Sequence, residues 1–295
     1  MGELTTRQRI GAYLLPGDPV WMTSSLSRYY DMLDDLVVVA PQSGRGWTGR
    51  EVPVEECLDV VRQVDHRGIS RVIWGKWENR AQPMLADTAQ RQAGIDALGD
   101  GVDWILQIDN DEILPTPSAL VSVLAEADSR SVRAVEWPMR VLFRRLRSGD
   151  YLEVVAADGA PRYEYPGPIA VKPGVTTVDA RRCEGSYLRP VVTNDTRSLQ
   201  LRRPPVAGEL RVAGLLHEDA IIHNSWGRDP SSVHRKIRTW GHNAGLKSEL
   251  YYWTRWRPAP YTWRALKDFH PFAGGLWPRL RRSGDFTSLL VDPDR

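Results

Sequence analysis

The stretch Ile105-Leu106-Gln107-Ile108-Asp109-Asn110-Asp111-Glu112 decides the fold class of this 295-residue chain. An apolar run opens directly onto three acids packed around one asparagine, and Pro115 and Pro117 prevent the run from continuing. This pattern predicts a buried strand that ends in a sharp acidic turn. Because open α/β sheets bind their ligands at the carboxyl ends of their strands, the turn is the first candidate for a functional site.

The chain before this stretch alternates between strand-like and helix-like patterns. Such alternation predicts βαβ units and a mostly parallel sheet, with successive strand ends along one edge. The predicted strands are 9–15, 36–40, 71–74 and the run into Asp109, and the predicted helices are 20–33, 53–64 and 88–98.

The second half of the chain has a different pattern. A helix is predicted for 118–127 and another for 231–240. Between them, residues 133–216 are rich in Val, Arg, Pro and Gly and lack long helical periodicity. We interpret this part as short strands and loops, and therefore as a β-rich insertion. The fold class is thus α/β, with a Rossmann-like, mostly parallel central sheet flanked by helices and a helical C-terminal segment.

Charge and composition exclude several classes of protein. A formal net charge of +2 argues against a dedicated nucleic-acid-binding protein, which is normally more basic. Cys57 and Cys183 lie far apart without metal-ligand spacing, which is typical of reduced thiols in a cytosolic protein. No apolar stretch approaches the ~20 residues that cross a bilayer, and the N-terminus lacks the pattern of a secretion signal. We therefore expect a cytoplasmic protein.

The acids after the fourth predicted strand point to a bound cation. Carboxylates gathered in one turn repel each other, and a divalent cation is the usual compensation. Asp109 and Asp111 are two residues apart, so both carboxylates reach one hard ion if the turn is extended. A nucleoside diphosphate is the natural second partner of such an ion.

Two stretches of the chain form a further pattern, Asp87-Thr88-Ala89-Gln90-Arg91-Gln92 and Asp103-Trp104-Ile105-Leu106-Gln107-Ile108-Asp109-Asn110-Asp111-Glu112. Together they resemble the family 2-type glycosyltransferases of the GT-A fold. The family carries an Arg-containing helix and then a strand that ends in a W-I-x-x-x-D-x-D-E pattern. The resemblance covers about the first 125 residues and one later motif. It implies a metal-dependent, hexosyltransferase-like enzyme that moves a sugar from a UDP- or GDP-type donor to a hydroxyl acceptor.

The resemblance also implies roles for the acidic turn. Asp111 would be the more direct ligand of Mn²⁺ or Mg²⁺, and Asp109 would contact the ribose or a metal-bound water. Glu112 would hold the turn or coordinate through water. The metal would act as a Lewis acid on the departing diphosphate. The alternative is that Asp109 and Glu112 only cap the next helix or are solvated.

Arg91 would bind phosphate, for which a planar guanidinium is well suited. An ordinary surface salt bridge with Asp87 or Asp96 is the alternative role for this side chain.

A second motif begins at His217. GT-A enzymes often take a third metal ligand, a histidine, from a segment well after the acidic turn, and this part of the chain resembles that segment. Neutral imidazole suits Mn²⁺. A structural histidine is the alternative, and His217 is the rival ligand. The matching positions are His223, Trp226, Lys236 and His242.

Glu218 and Asp219 resemble the Glu-Asp pair of inverting family 2 enzymes, in which one carboxylate takes the proton of the acceptor hydroxyl. The companion pattern Gln-x-x-Arg-Trp is absent, and residues 235–240 are only distantly similar to it. Whether the enzyme inverts or retains configuration therefore stays open. If it retains configuration, the two acids are structural.

The turns after the first two predicted strands depart from the family pattern. Residues 15–18 read Leu-Pro-Gly-Asp where many members have Asn-Glu, and residues 40–43 read Ala-Pro-Gln-Ser where many have Asp-Asp-Gly-Ser. The contacts to the base therefore cannot be transferred from the family, and the nucleotide stays open.

The C-terminal part is basic and aromatic. Between Tyr251 and Arg282, seven Arg or Lys residues and one acid, Asp268, are interleaved with Trp and Tyr. We expect the aromatic rings to pack and the Arg side chains to be solvated. Stacking on acceptor sugars and peripheral contact with an anionic membrane, at its inner face, are the alternatives.

These patterns together predict one compact domain with three parts. Residues 1–115 would form the nucleotide-sugar half, 116–250 the acceptor half with the closing His segment, and 251–295 the aromatic and Arg-rich extension. The acceptor would be a glycan, a lipid-linked molecule or a small molecule. A sugar nucleotidyltransferase and a non-catalytic carbohydrate-binding protein are the alternative functions.

Overall fold

The computed structural model describes residues 7–239, 245–284 and 286–289. Strands and helices alternate through its first half, as the sequence predicts. Helix α3 begins earlier than predicted because Pro83 takes the first turn, where its missing N–H costs no hydrogen bond. In chain order the elements of this half are β1 (Ile10–Leu14), α1 (Met22–Tyr29), β2 (Asp35–Pro41), α2 (Val54–Val64), β3 (Ser70–Gly75), α3 (Pro83–Leu98) and β4 (Trp104–Leu106).

The second half is richer in strands and ends in short helices. Its elements up to the last long helix are β5 (Glu112–Ile113), α4 (Pro117–Ser129), β6 (Ala134–Glu136), β7 (Met139–Arg145), β8 (Tyr151–Val155), β9 (Pro168–Val171), β10 (Thr177–Asp179), β11 (Arg182–Cys183), β12 (Tyr187–Val192), β13 (Glu209–Leu215), β14 (Ile221–His223) and α5 (Pro230–Thr239). They are followed by α6 (Leu246–Tyr251), a π-helix (Tyr252–Trp256), α7 (Ala259–Thr262) and β15 (Arg279–Ser283).

A central sheet of eight strands has the order β13-β12-β6-β9-β4-β1-β2-β3. Strand β9 runs antiparallel to β4 and β6, and the other neighbours are parallel. The chain leaves β1 toward β2 on one side and returns to β4 on the other. This reversal opens a crevice at the carboxyl ends of β1 and β4, which is where open α/β sheets bind ligands.

Alternating side chains of the central strands build two apolar layers. Leu36 and Val38 of β2 join the layer that α1, α2 and α4 cover, whereas Val37 and Val39 join the layer that α3 covers. Helices therefore lie on both faces of the sheet. The mostly parallel α/β fold predicted from the sequence is confirmed.

The segment interpreted as a β-rich insertion, residues 133–216, is part of the central sheet. It supplies β6, β9, β12 and β13, which are four of the eight strands of the central sheet. Strands such as β6, with three residues, are too short for period-2 alternation to identify them. The central sheet therefore takes strands from both sides of residue 115, and the division at residues 115 and 250 stays a prediction.

A second sheet with the order β15-β8-β7-β14-β5 lies beside a second apolar core. Phe143, Trp226, Trp256 and Trp277 pack there, as the sequence predicts for the aromatic rings. Within the described ranges, no helix is both long and apolar enough to cross a membrane.

A buried charge network joins three strands of the central sheet. The Arg189 guanidinium on β12 donates to Glu136 Oε2 of β6 over 2.6 Å, and it also pairs with Glu209 of β13. Arg189 is buried, and burial raises the pKa of Glu136 despite its guanidinium partner. Arg189 thus links carboxylates of both neighbouring strands, and Glu209 is also paired with Arg203 and Arg211.

We predict that Arg189→Met lowers the free energy of unfolding by about 3–5 kcal/mol, because it leaves the buried carboxylate of Glu136 without its cation. Chemical denaturation followed by circular dichroism measures this loss. Arg197→Met is the matched control, since Arg197 forms a half-exposed pair with Asp158 and should cost less than about 1 kcal/mol. Equal costs for the two variants would contradict the role assigned to Arg189.

Candidate functional site

A cavity of about 390 Å³ lies in the crevice between the carboxyl ends of β1 and β4. Its volume is in the range of small-molecule binding sites. Loops after three parallel strands form its floor, and α3, the β10–β11 turn, the segment after β14 and α5 form its walls. The lining includes Leu15, Pro16, Gly17, Asp18, Pro41, Trp47, Gln90, Arg91, Asp109, Asn110, Asp111, Arg181, His223, Ser225, Arg228, Arg235 and Lys236.

The acidic turn after β4 is held by Glu112. The Glu112 side chain is fully buried and accepts two hydrogen bonds from the Arg181 guanidinium, over 2.8 and 2.6 Å. Its Oε2 also accepts the backbone N–H of Asp109 over 3.2 Å. The Asn110 amide donates to the Leu15 carbonyl over 2.9 Å and ties the turn to the end of β1. Of the two roles predicted for Glu112, the structure thus gives it the one that holds the turn.

Arg91 lies beneath the turn on α3. It donates to Asp87 over 2.7 Å and to both oxygens of Asp109 over 3.0 and 3.4 Å. The side chains of Arg91 and Asp87 are buried, so this is no surface salt bridge. Asp96 instead accepts a hydrogen bond from Gln92. Burial alone would raise the pKa of Asp109, but the guanidinium groups of Arg91 and Arg181 lower it, so this carboxylate is ionised.

Asp111 is paired directly with two cations in the cavity. Its Oδ2 accepts hydrogen bonds from Arg228 over 2.6 Å and from Lys236 over 2.8 Å. Burial opposes ionisation, yet Lys236 and Arg228 hold the pKa of Asp111 well below its usual range. Arg228 also pairs with Asp18 in the loop after β1.

Arg228 is one of the site residues that the sequence analysis missed, and Arg181 is another. Arg228 follows β14 by a few residues and precedes α5, in a segment without periodicity, so no local pattern distinguishes it from a surface arginine. Lys236 was matched only through the family resemblance. Of the other matched positions, Trp226 is buried in the second core and His242 lies outside the described residues. Trp240, the last residue of the helix predicted for 231–240, also lies outside them.

His223 reaches the acidic turn through strand pairing. In the antiparallel pair of β14 with β5, His223 lies opposite Glu112. Its Nε2 lies 3.9 Å from Asp111 Oδ2, and its buried Nδ1 has no hydrogen-bond partner among the described residues. Burial lowers the pKa of His223 although Asp111 opposes the shift, so the imidazole is neutral at pH 7. The rival ligand His217 lies elsewhere, with Nδ1 2.7 Å from the Tyr163 hydroxyl.

Glu218 and Asp219 are not among the described residues that line this cavity. They belong to a 3₁₀ turn, His217–Asp219, in which Asp219 Oδ2 accepts the Leu216 N–H over 2.9 Å. Asp219 faces a separate depression of about 300 Å³ between α4 and β12–β13. Their role as catalytic base stays a prediction, and the structure gives Asp219 a local structural role.

The donor chemistry around Asp111 fits a divalent cation only in part. Within the described ranges, no three Asp, Glu, His or Cys side chains lie close enough together to hold a metal ion by themselves. Asp111 and His223 nevertheless offer an anionic oxygen and a neutral nitrogen on one side of the cavity. Divalent cations in phosphate-transfer sites commonly take one or two protein ligands and complete their shell with phosphate oxygens and water. The residues present fit a metal that is bound together with a diphosphate.

No protein-family model matches the sequence, and no curated protein matches it. Solved structures with similar folds include a mannosyltransferase from Pyrobaculum calidifontis in complex with GDP-Man and Mn²⁺, at 16% identity and a TM-score of 0.33, over 44% of this chain and 35% of that one. The chain therefore spans about a third of that protein.

Two further structures are similar over about half of the chain. The 4-diphosphocytidyl-2C-methyl-D-erythritol synthase of Anaerococcus prevotii matches at 12% identity and a TM-score of 0.33, over 56% of this chain and 71% of its own. The bifunctional glycosyltransferase WbbM, in its apo form, matches at 11% identity and a TM-score of 0.28, over 54% and 27%. TM-scores this low decide nothing about the activity of this chain.

Proposed function

We propose that this protein is a metal-dependent glycosyltransferase that moves a sugar from a nucleoside-diphosphate donor to a hydroxyl acceptor. The observation that carries the proposal is the meeting of an ionised acidic turn with Arg228 and Lys236 in a cavity at the strand-order reversal. Cations paired with a replaceable carboxylate are suited to bind a diphosphate, because its oxygens can take over the same hydrogen bonds. Arg91 holds Asp109 in place from beneath and acts as a positioning residue.

Asp111 and His223 are the residues that would hold Mn²⁺ or Mg²⁺, and the metal would supply Lewis-acid stabilisation of the departing diphosphate. Lys236 and Arg228 add positive charge on the same side of the cavity, where charge develops on the leaving group. A cation and a diphosphate that share a site each increase the affinity of the other.

We assign the nucleoside of the donor to the cavity wall near α3. Trp47 lines the cavity, and its indole Nε1 donates to Gln90 Oε1 over 2.6 Å. The Gln90 amide in turn donates to the Val39 carbonyl over 2.7 Å, so both side chains are fixed in orientation. A fixed aromatic ring offers a flat face for a base.

Transfer of a nucleotidyl group to a sugar phosphate, as catalysed by a sugar nucleotidyltransferase, is the rival reaction. The phosphate loop of such an enzyme would be expected to carry several glycines with Arg or Lys after the first strand. The loop after β1 instead carries Asp18, which is engaged by Arg228. This arrangement favours glycosyl transfer.

The first prediction for this site concerns Asp111. We expect UDP or GDP to raise the melting temperature of the wild type in the presence of Mn²⁺. Under the same conditions, Asp111→Asn should weaken binding of that nucleotide at least about tenfold, because the variant lacks the carboxylate charge that would hold the metal. Titration calorimetry measures the affinity. Asp179→Asn, at an exposed position, is the matched control and should bind like the wild type. Wild-type affinity in Asp111→Asn would contradict the proposal.

The second prediction concerns the metal. Because the described residues provide only part of a coordination shell, Mn²⁺ alone should bind weakly and the nucleotide should strengthen its binding about tenfold or more. Electron paramagnetic resonance of unbound Mn²⁺, with and without the nucleotide, measures this coupling. His223→Gln should reduce it, whereas His217→Gln should leave it unchanged. Equal Mn²⁺ affinity with and without the nucleotide would refute a shared site.

The third prediction separates the cavity from the Glu218–Asp219 pair. Glu218 is exposed and outside the cavity lining, so Glu218→Gln should change the rate of sugar transfer less than about twofold. Steady-state kinetics with the identified donor test this expectation. A fall of about 10²-fold or more would instead support the base assignment made from the family resemblance.

A further inference from the structure

Three large apolar side chains stand exposed on successive turns of the helical run formed by α6 and the π-helix. Leu246, Leu250 and Trp253 are 88%, 63% and 52% exposed. Spacings of four and three residues place them on the same side of the run. Tyr252 and Trp256 of the same run are buried in the second core and anchor it. We refer to Leu246, Leu250 and Trp253 as the exposed stripe.

One arginine contacts the exposed stripe, and the segment that carries the stripe has an excess of exposed positive charge. The guanidinium of Arg257 lies 4.6 Å from the centre of the Trp253 ring. Asp268 is the single exposed acid in residues 245–275, all of which the structure describes, and Glu249 is only partly exposed and lies 2.7 Å from His234. Exposed cations in the same range are Lys247, Arg255, Arg257, Arg264 and Lys267.

We propose that the exposed stripe, together with Arg257 and the other exposed cations of residues 245–275, docks this protein on an anionic lipid surface. Leu and Trp side chains enter the boundary between headgroups and acyl chains, while Arg and Lys extend their charges to lipid phosphates. Each basic residue near such a surface adds to the attraction, and the excess of one sign of charge fits anionic lipid.

The exposed stripe lies next to the wall of the cavity. The Trp253 ring contacts His234 of α5, with 6.4 Å between ring centres, and the next two residues, Arg235 and Lys236, line the cavity. Docking through the stripe therefore brings the cavity close to the lipid surface. This favours a lipid-linked acceptor. The acceptor assignment rests on the proposed function, whereas the docking proposal is independent of it.

Co-sedimentation of the full chain with vesicles tests the docking. Vesicles of phosphatidylcholine mixed with phosphatidylglycerol should bind the wild type at low salt, and pure phosphatidylcholine vesicles should bind it at least about tenfold less. The triple variant Leu246→Ser/Leu250→Ser/Trp253→Ser should lose about tenfold or more of the binding to the anionic vesicles. Its matched control is Val178→Ser/Val206→Ser/Leu216→Ser, which removes three exposed apolar side chains elsewhere.

Brominated lipids give a second readout that does not depend on sedimentation. They should quench part of the wild-type tryptophan fluorescence, and Trp253→Phe should remove that part. The proposal is overturned if the anionic vesicles bind neither protein, or bind wild type and triple variant equally. It is also overturned if the wild type self-associates through the stripe in sedimentation velocity and does not bind vesicles. Nucleotide binding is measured separately, so failure of docking and failure of the proposed function are distinguishable.

Discussion

The buried ion pair between Arg181 and Glu112 is the interaction on which the site depends. Glu112 is fully buried, and its carboxylate receives both the guanidinium of Arg181 and the backbone N–H of Asp109. A buried carboxylate that loses its cation destabilises a protein by several kcal/mol, so this ion pair firmly links the turn after β4 to the β10–β11 turn. The fold thereby fixes Asp109 and Asp111 at the edge of the sheet.

The cavity contains paired opposite charges, the Asp111 carboxylate with Arg228 and Lys236. Asp111 is ionised because Lys236 and Arg228 outweigh the effect of burial on its pKa. If a diphosphate binds as proposed, Lys236 and Arg228 would exchange the oxygens of Asp111 for those of the ligand. Arg228 adds a second constraint, because its contact with Asp18 links the loop after β1 to the acidic turn.

The second core has a different task from the central sheet. Aromatic rings, among them Trp226 and Trp256, fix the helices after β14 against β7 and β8. This packing sets the position of α5, whose Lys236 reaches the cavity. It also holds the neighbouring helical run so that Trp253 stays at the surface. The aromatic C-terminal part thus supports the site from behind and provides the surface that we assign to lipid.

The sequence by itself determined the alternating strands and helices, the buried strand before Asp109 and the acidic turn, because these depend on local periodicity and on prolines. Tertiary structure alone decided the partners of that turn. Arg181 and Arg228 lie 69 and 117 residues from their acids, in segments without periodicity, and His223 arrives by pairing of β14 with β5. Glu218 and Asp219 fit a motif spacing but lie outside the cavity lining. Spacing along a chain does not determine whether a side chain reaches the cavity. Only the packing of the sheets determines that.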